Sequence, residues 1–152
     1  MVVLHLMVGV QGSGKSTYSK KLNQENGYKI ISSDEVRKMH PDWEEVKVFP
    51  EVYRLCANEL KEGRDVIFDA TNITPKVRSK NIGLVRDLYP DFEVYAYFIN
   101  TDKEKCKERV KRRNNMKGEL YLPIEVIDSY FENLVIPTID EGIDKVIIIN
   151  ND

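Results

Sequence analysis

The chain has 152 residues, of which 41% are hydrophobic and 32% charged, and its formal net charge is −2 at pH 7. This length and composition are typical of a soluble globular domain with a buried core, so we expect residues 1–152 to form a single domain. The near-neutral charge disfavours general attraction to nucleic acid. The N-terminal apolar run is too short to cross a membrane and lacks the features of a signal peptide, so we expect no membrane partner and a cytoplasmic location.

Apolar runs of strand length alternate with helical patterns along the chain. The predicted strands are Val2–Val8, Tyr28–Ser32, Asp65–Asp69, Phe92–Ile99 and Lys145–Ile149. The predicted helices are Lys15–Glu25, Asp34–Met39, Glu51–Glu62, Pro75–Leu88, Lys103–Arg113 and Pro123–Asn133. The alternation predicts an α/β fold of three layers, a mostly parallel five-stranded sheet with helices on both faces. Ligands bind such sheets beyond the carboxyl ends of the strands, so the residues that follow each strand are candidates for a functional site.

The first strand is followed by the stretch GVQGSGKST, from Gly9 to Thr17. Its spacing matches the phosphate-binding P-loop pattern G-x-x-x-x-G-K-[ST] between a strand and a helix. Glycines let backbone amides turn towards an anion, and the dipole of the following helix favours negative charge at the same place. We expect Lys15 to reach the β- and γ-phosphates of ATP and Ser16 to ligate Mg²⁺. The residues of this loop predicted to bind ATP are Gly9, Gly12, Ser13, Gly14, Lys15, Ser16 and Thr17.

The second strand is followed by ISSDEVRKM, in which Asp34 and Arg37 are three residues apart and share a helix face. A carboxylate near a γ-phosphate accepts the proton of an attacking hydroxyl, so we predict that Asp34 is the general base. A structural explanation also stays open. With Ser32 as the N-cap and Glu35 as its capping-box partner, Asp34 is an ordinary acid of a first helical turn.

The third strand ends at Asp69, within DVIFDATNITPKVR. An acid after a buried apolar strand is typical of a Walker B segment, which helps to hold Mg²⁺, and a buried carboxylate requires a partner. Thr71 and Asn72 follow it. They are predicted to contact the phosphate acceptor or, alternatively, to cap the helix that begins at Pro75.

The segment after the fourth strand, residues 102–117, carries eight basic and three acidic side chains. It continues into the polar stretch NNMKGELYLP, which we predict to be a mobile lid. Arginine donors on a lid suit phosphoryl oxygens whose charge spreads in the transition state. Arg109, Arg112 and Arg113 are therefore predicted to contact ATP, with Arg113 catalytic. A solvated helix face is the other explanation of such a basic run.

These motifs resemble the kinase domain of phage-type 5′-polynucleotide kinases over about residues 3–135. The similarity is carried by the P-loop, SSDEVRK, DATN, the arginine-rich lid and LPIEVIDSYFENL. The resemblance implies that Asp34 is the general base for a 5′-hydroxyl and that Arg37 contacts a phosphate of the acceptor strand. It also implies that Lys15 and Ser16 bind the nucleotide phosphates and the metal.

Within the lid, the resemblance matches Arg113 to an arginine that acts on the donor phosphates, and Arg109 to a neighbouring lid arginine. Two features depart from the phage enzymes. The chain lacks the D-x-D-x-T signature of their phosphatase domain. Its DATN segment has the sequence found in a wider group of small P-loop kinases that includes zeta-toxin-like enzymes.

The sequence therefore predicts an ATP- and Mg²⁺-dependent kinase that transfers the γ-phosphate to the 5′-hydroxyl of DNA or RNA. The alternatives are a small-molecule or nucleotide-sugar kinase of the zeta-toxin-like group and a non-catalytic nucleotide-binding module. The location is the host cytoplasm if the chain is encoded by a phage. The sequence leaves two questions open: whether the acceptor is DNA or RNA, and whether the protein is a monomer or a homo-oligomer.

Overall fold

Five strands and six α-helices make up the described part of the chain, residues 1–151 of a computed structural model. The strands are β1 (Val2–Val8), β2 (Lys29–Ser32), β3 (Val66–Asp69), β4 (Phe92–Asn100) and β5 (Lys145–Asn150). The helices are α1 (Lys15–Asn26), α2 (Ser33–Met39), α3 (Val48–Lys61), α4 (Pro75–Leu88), α5 (Lys103–Asn114) and α6 (Glu125–Asn133). Asp152, the last residue of the predicted domain, lies outside the described residues.

The predicted elements are all present, with ends that shift by a few residues. The largest shift is at α3, which begins at Val48 rather than Glu51 because the short 3₁₀ helix Glu45–Lys47 leads directly into it. A second 3₁₀ helix, Ile139–Glu141, precedes β5. None of the helices within residues 1–151 has both the length and the apolar character that a membrane span requires.

The sheet has the order β2-β3-β1-β4-β5, and all neighbouring strands are parallel. This confirms the predicted α/β fold, with a sheet that is wholly rather than mostly parallel. All residues of β1 after the first are buried, as expected of a continuous apolar run covered on both faces. The register pairs Ser32 with Asp69 and Leu6 with Phe68, so the segments after β1, β2 and β3 leave the sheet at the same edge.

Helices cover the sheet on both faces. Alternate residues of β1 and β4 pack against α3 and α4 on one face, whereas Met7, Ile67 and Tyr97 pack with Leu22 of α1 on the other. A third apolar cluster joins the loop after β1 to α5 and α6; its buried members are Val10, Ile73, Cys106, Val110 and Ile127. This third cluster holds the basic helix α5 beside the P-loop.

A buried ion pair fixes the segment that precedes β5. Arg78 of α4 has no exposed side-chain surface, and its Nε and Nη2 donate to Glu141 over 2.8 and 3.0 Å. Its Nη1 donates to the carbonyl of Asn72 over 2.8 Å. Arg78 therefore ties the loop after β3 to the 3₁₀ helix before β5.

We expect Glu141→Ala to lower the free energy of unfolding by roughly 3–5 kcal/mol, because it leaves a buried guanidinium without its carboxylate. The measurement is equilibrium unfolding in urea. Glu108→Ala is the matched control, since Glu108 pairs with Arg112 where both side chains are mostly exposed, and it should change stability little. Equal effects of the two substitutions would contradict a structural role for the buried pair.

His5 of β1 is a buried histidine held by two polar partners. Its Nε2 lies 2.9 Å from Asp65 Oδ2 and its Nδ1 lies 2.7 Å from the Tyr97 hydroxyl, while its ring stacks on Tyr28. Burial lowers the pKa of His5, although the hydrogen bond and the charge of Asp65 oppose this shift. The folded protein therefore favours neutral His5.

Because the pKa of His5 is lower in the folded than in the unfolded chain, its neutral form stabilises the fold above about pH 6.5. That contribution is lost as the pH falls through the pKa of the folded state. We expect His5→Gln to reduce the loss of stability between pH 7.5 and 5, as measured by urea unfolding at each pH. His40→Gln, which removes the other histidine, is the control; the same reduction in both variants would count against this assignment.

Candidate nucleotide-binding site

The loop between β1 and α1 turns on two glycines in the left-handed conformation. Gly12 has φ +80° and Gly14 has φ +107°, values that residues with a Cβ rarely adopt. A Cβ at Gly12 would also lie 2.5 Å from the carbonyl oxygen of Cys106 in α5. Glycine is therefore required at Gly12 both by the backbone conformation and by the close approach of α5.

Three side chains hold the carbonyl groups of this loop. Arg109 Nη1 donates to the carbonyl of Gly12 over 3.1 Å. The carbonyl of Ser13 accepts hydrogen bonds from Thr101 Oγ1 over 2.6 Å and from Asn151 Nδ2 over 2.8 Å. The first amides of α1 have no partner within their helix. A loop whose carbonyls are engaged, followed by free helix amides, is suited to bind an anion.

Buried polar atoms without a partner cluster at the same place. Within residues 1–151, the buried side-chain atoms that make no hydrogen bond are Gln11 Oε1, Ser13 Oγ and Ser19 Oγ. All three belong to the P-loop or to α1. Unpaired buried polar groups are rare in native proteins, so their clustering fits a polar ligand such as a nucleotide phosphate.

Lys15 and Asp69 form the charged centre of the site. Lys15 Nζ donates to the carbonyl of Val10 over 3.3 Å. Burial lowers the pKa of Lys15, while the carboxylate of Asp69 acts in the opposite direction. Asp69 is 7% exposed at the end of β3, and burial raises its pKa, opposed first by the charge of Lys15. The lysine and the carboxylate partly compensate the burial of each other's charge.

The charges of Asp34 and Arg113 both act on this centre. The carboxylate of Asp34 raises the pKa of Lys15 and of Asp69, and the guanidinium of Arg113 lowers both. Lys15 begins α1 after the P-loop, Asp34 lies in the first turn of α2 and Asp69 ends β3, so all three stand at the edge where these parallel strands end. Arg113 lies one helical turn after Arg109, whose side chain reaches the P-loop from α5.

Asp34 is also paired with Arg37. Arg37 Nη1 donates to Asp34 Oδ1 over 2.7 Å, so the two residues share a face of α2. The Ser32 hydroxyl accepts from the amide of Glu35 over 3.3 Å and caps the same helix. Ser32 therefore caps α2, as the structural explanation predicts, and this leaves the Asp34 side chain free for a functional role. The Asp34 side chain is 56% exposed, which leaves it accessible to an acceptor.

The lid arginines separate into three environments. Arg113 acts on Lys15 and Asp69, whereas Arg109 bonds to the backbone of the P-loop. Arg112 is 67% exposed and pairs with Glu108 one turn earlier on α5. Helical geometry turns consecutive arginines to different faces, and the contact of Arg112 with ATP stays a prediction.

Asn72 has structural partners in the interior of the protein, and its predicted contact with the acceptor stays a prediction. It is 1% exposed, and its Nδ2 donates to the carbonyl of Met7 over 2.9 Å while its Oδ1 accepts from Asn81 Nδ2 over 2.7 Å. Its φ of +48° is one that asparagine tolerates better than most residues. The carbonyl of Thr71 accepts from the amide of Gly9 over 2.9 Å. The N-cap of α4 is Thr74, so neither Thr71 nor Asn72 caps that helix.

Thr101 and Asn151 are site residues that the sequence interpretation missed. They follow β4 and β5, as Gly9 and Asp69 follow or end their own strands. The rule that residues after parallel strands form the site would have found both if it had been applied to all five strands.

The residues present fit a nucleoside triphosphate with Mg²⁺. Ser16 lies exposed in the first turn of α1, and Asp69 supplies a carboxylate at the neighbouring strand end. Hydroxyl and carboxylate oxygens are ligands that Mg²⁺ prefers. Lys15 and the loop amides are suited to hold the phosphates.

Comparison with known proteins agrees with this description. A family model described as AAA domain matches residues 4–135. The chain belongs to the AAA domain family. Together with the P-loop geometry, this makes it a nucleotide-binding P-loop domain. No curated protein matches its sequence significantly.

Several solved structures share the fold of this AAA domain at low sequence identity. A candidate kinase from Chloroflexus aurantiacus superposes with a TM-score of 0.79 at 14% identity, over 98% of this chain and 88% of that one. A fungal RNA kinase gives 0.66 at 14% identity, over 97% and 74%. A gluconokinase from Sinorhizobium meliloti gives 0.60 at 19% identity, over 96% and 81%. The fold is that of P-loop kinases with different acceptors.

We expect Lys15→Ala to weaken MgATP binding by roughly 10–100-fold, since a charge-assisted hydrogen bond contributes about 1.5–3 kcal/mol. Calorimetric titration with MgATP measures the change. Lys20→Ala removes an exposed lysine from the same helix and should leave the affinity unchanged. A folded Lys15→Ala protein with wild-type affinity would contradict the assigned site.

Proposed function

We propose that this AAA domain is an ATP-dependent kinase that transfers the γ-phosphate to the 5′-hydroxyl of a DNA or RNA strand. The observation that carries the proposal is the placement of Asp34. Asp34 lies in the first turn of α2, two residues after Ser32, which is paired with Asp69 at the end of the sheet, and its carboxylate is exposed enough to meet a second substrate. A domain that only bound nucleotide would not require this carboxylate.

Each charged residue has a role in the proposed reaction. Bound Mg²⁺ neutralises part of the phosphate charge. Lys15 holds the β- and γ-phosphates. Asp34 accepts the proton of the attacking 5′-hydroxyl as its oxygen bonds to the γ-phosphorus, while the bond from that phosphorus to the β,γ-bridging oxygen breaks and ADP leaves. Arg113 stabilises the negative charge that spreads over the transferred phosphoryl oxygens. Arg109 acts indirectly, because its bond to the Gly12 carbonyl orients the loop.

A groove lined by Arg37, the residue that pairs with Asp34, suits a nucleotide acceptor. It has a volume of about 500 Å³ and lies between Arg37, Trp43 and the residues around them on one side and the lid residues 118–120 on the other. His40 and Trp43 stack in its wall with ring centroids 3.6 Å apart. Aromatic side chains and arginines recur where proteins bind single-stranded nucleic acid, and the likeness to the fungal RNA kinase supports the same acceptor class.

A small-molecule kinase is the second candidate. Arg37 is already paired with Glu45, and Lys38 lies 3.3 Å from Glu119 of the lid. Paired cations leave less positive charge for the phosphates of a strand, and the likeness to a gluconokinase supports an acceptor as small as a sugar acid. A panel of 5′-hydroxyl oligonucleotides, nucleosides and sugars with γ-labelled ATP decides between the candidates. Transfer to sugars but not to oligonucleotides would overturn the first proposal.

We expect Asp34→Asn to lower kcat by roughly 10²-fold or more, because the amide keeps the shape of the side chain and removes the base. MgATP affinity should change little. Glu35→Gln is the control, since Glu35 is the adjacent exposed acid of the same helical turn. Steady-state kinetics with the best acceptor of the panel measures both. A loss of thermal stability with retained kcat would show that Asp34 serves only α2.

A further inference from the structure

The guanidinium of Arg37 is already occupied in this structure. Its Nε donates to both carboxylate oxygens of Glu45 over 3.0 and 3.1 Å, and its Nη2 donates to Glu45 Oε1 over 2.5 Å. Its Nη1 donates to Asp34 over 2.7 Å and to the Ser33 hydroxyl over 3.4 Å. Any anion that approaches the Nε–Nη2 side of Arg37 must therefore compete with Glu45.

Glu45 is more easily displaced than Arg37. Its side chain is 67% exposed, and the described hydrogen bonds to its carboxylate all come from Arg37. Arg37 is 28% exposed and is held from several directions, by Asp34, by Ser33 and by the ring of Phe49 at 5.8 Å. Exposed ion pairs contribute about 0–1 kcal/mol. Glu45 can leave while Arg37 stays in place.

A carboxylate and a phosphate engage an arginine through the same two-pronged contact. Arg37 and Glu45 both line the groove described above, so their contact is within reach of a bound acceptor. An acceptor with its 5′-hydroxyl at Asp34 carries the phosphate of its first linkage on the 3′ side of the same sugar. That phosphate is the anion closest to the reacting hydroxyl in a strand, and a free nucleoside lacks it.

We propose that Glu45 is a displaceable stand-in for the 3′-phosphate of the acceptor nucleotide on Arg37, and thereby sets the preference for acceptors with or without this phosphate. This rests on the proposed function, since it assumes an acceptor in the groove. On binding, the phosphate replaces Glu45 on Nε and Nη2 while Asp34 remains on Nη1. Glu45 is thus a specificity-determining residue that takes no part in the chemistry.

Neutralising Glu45 changes the charge balance of the groove. Arg37 then keeps only Asp34 as a carboxylate partner, whereas Lys38 remains paired with Glu119 and Glu35 at 3.3 and 3.6 Å. In the wild-type protein an incoming phosphate must displace Glu45 from Arg37 and is repelled by its negative charge. Both effects weaken the binding of the phosphate. The repulsion between two like charges about 4 Å apart in a medium of high dielectric constant costs about 1 kcal/mol, which corresponds to about a fivefold change in affinity.

The test is binding in the absence of ATP, so that it does not depend on phosphoryl transfer. Wild-type protein and Glu45→Gln are titrated by calorimetry with adenosine 3′-monophosphate and with adenosine. We expect Glu45→Gln to bind the monophosphate about fivefold more tightly and adenosine with unchanged affinity. Glu44→Gln, which neutralises the adjacent exposed acid, should behave as the wild type. In an Arg37→Ala background, Glu45→Gln should produce no further gain.

The outcomes separate this inference from the proposed function. No gain, an equal gain for adenosine, or the same gain in Glu44→Gln overturns the role of Glu45 whatever reaction is catalysed. Transfer to sugars alone overturns the proposed function, while the binding comparison still tests the occupancy of Arg37. Thermal melts check that each variant is folded, and Glu45→Ala must show the same direction of change as Glu45→Gln.

Discussion

The parallel pairing of β1 with β3 on one side and β4 on the other is the constraint on which the candidate site depends. Parallel strands in register deliver the segments that follow them to the same edge of the sheet. The P-loop after β1, Asp69 at the end of β3 and Thr101 after β4 meet there for this reason. The anchoring bonds from Thr101, Asn151 and Arg109 to the loop carbonyls follow from the same arrangement.

A balance of opposed charges makes the site stable without its ligand. Asp69 is buried and Lys15 is half-buried, and either would be costly to charge alone. Asp34 in the first turn after β2 and Arg113 on the helix beside the P-loop add a second carboxylate and a second cation near the same strand ends. Nucleotide phosphates would add negative charge where the loop amides and the start of α1 favour it. The centre is therefore arranged for an anion before one binds.

The acceptor side follows a different principle. The groove between α2, the segment that leads into α3 and the lid is bounded by cations that each have a carboxylate partner. An anion that reached Arg37 would have to exchange with one of these carboxylates, which is the basis of the role proposed for Glu45.

The order of strands and helices, the P-loop and the proximity of Asp34 to Arg37 were determined by the sequence, because each depends on local spacing or on hydrophobic periodicity. The convergence of Lys15, Asp34, Asp69 and Arg113 followed from the rule for parallel sheets. Only the tertiary structure decided the partners of individual side chains. It buried Asn72 against Met7 and Asn81, turned Arg112 to solvent, and brought Asn151 to Ser13 and Glu45 to Arg37. These pairings join segments far apart in sequence or depend on helix rotation, which composition and motif spacing do not specify.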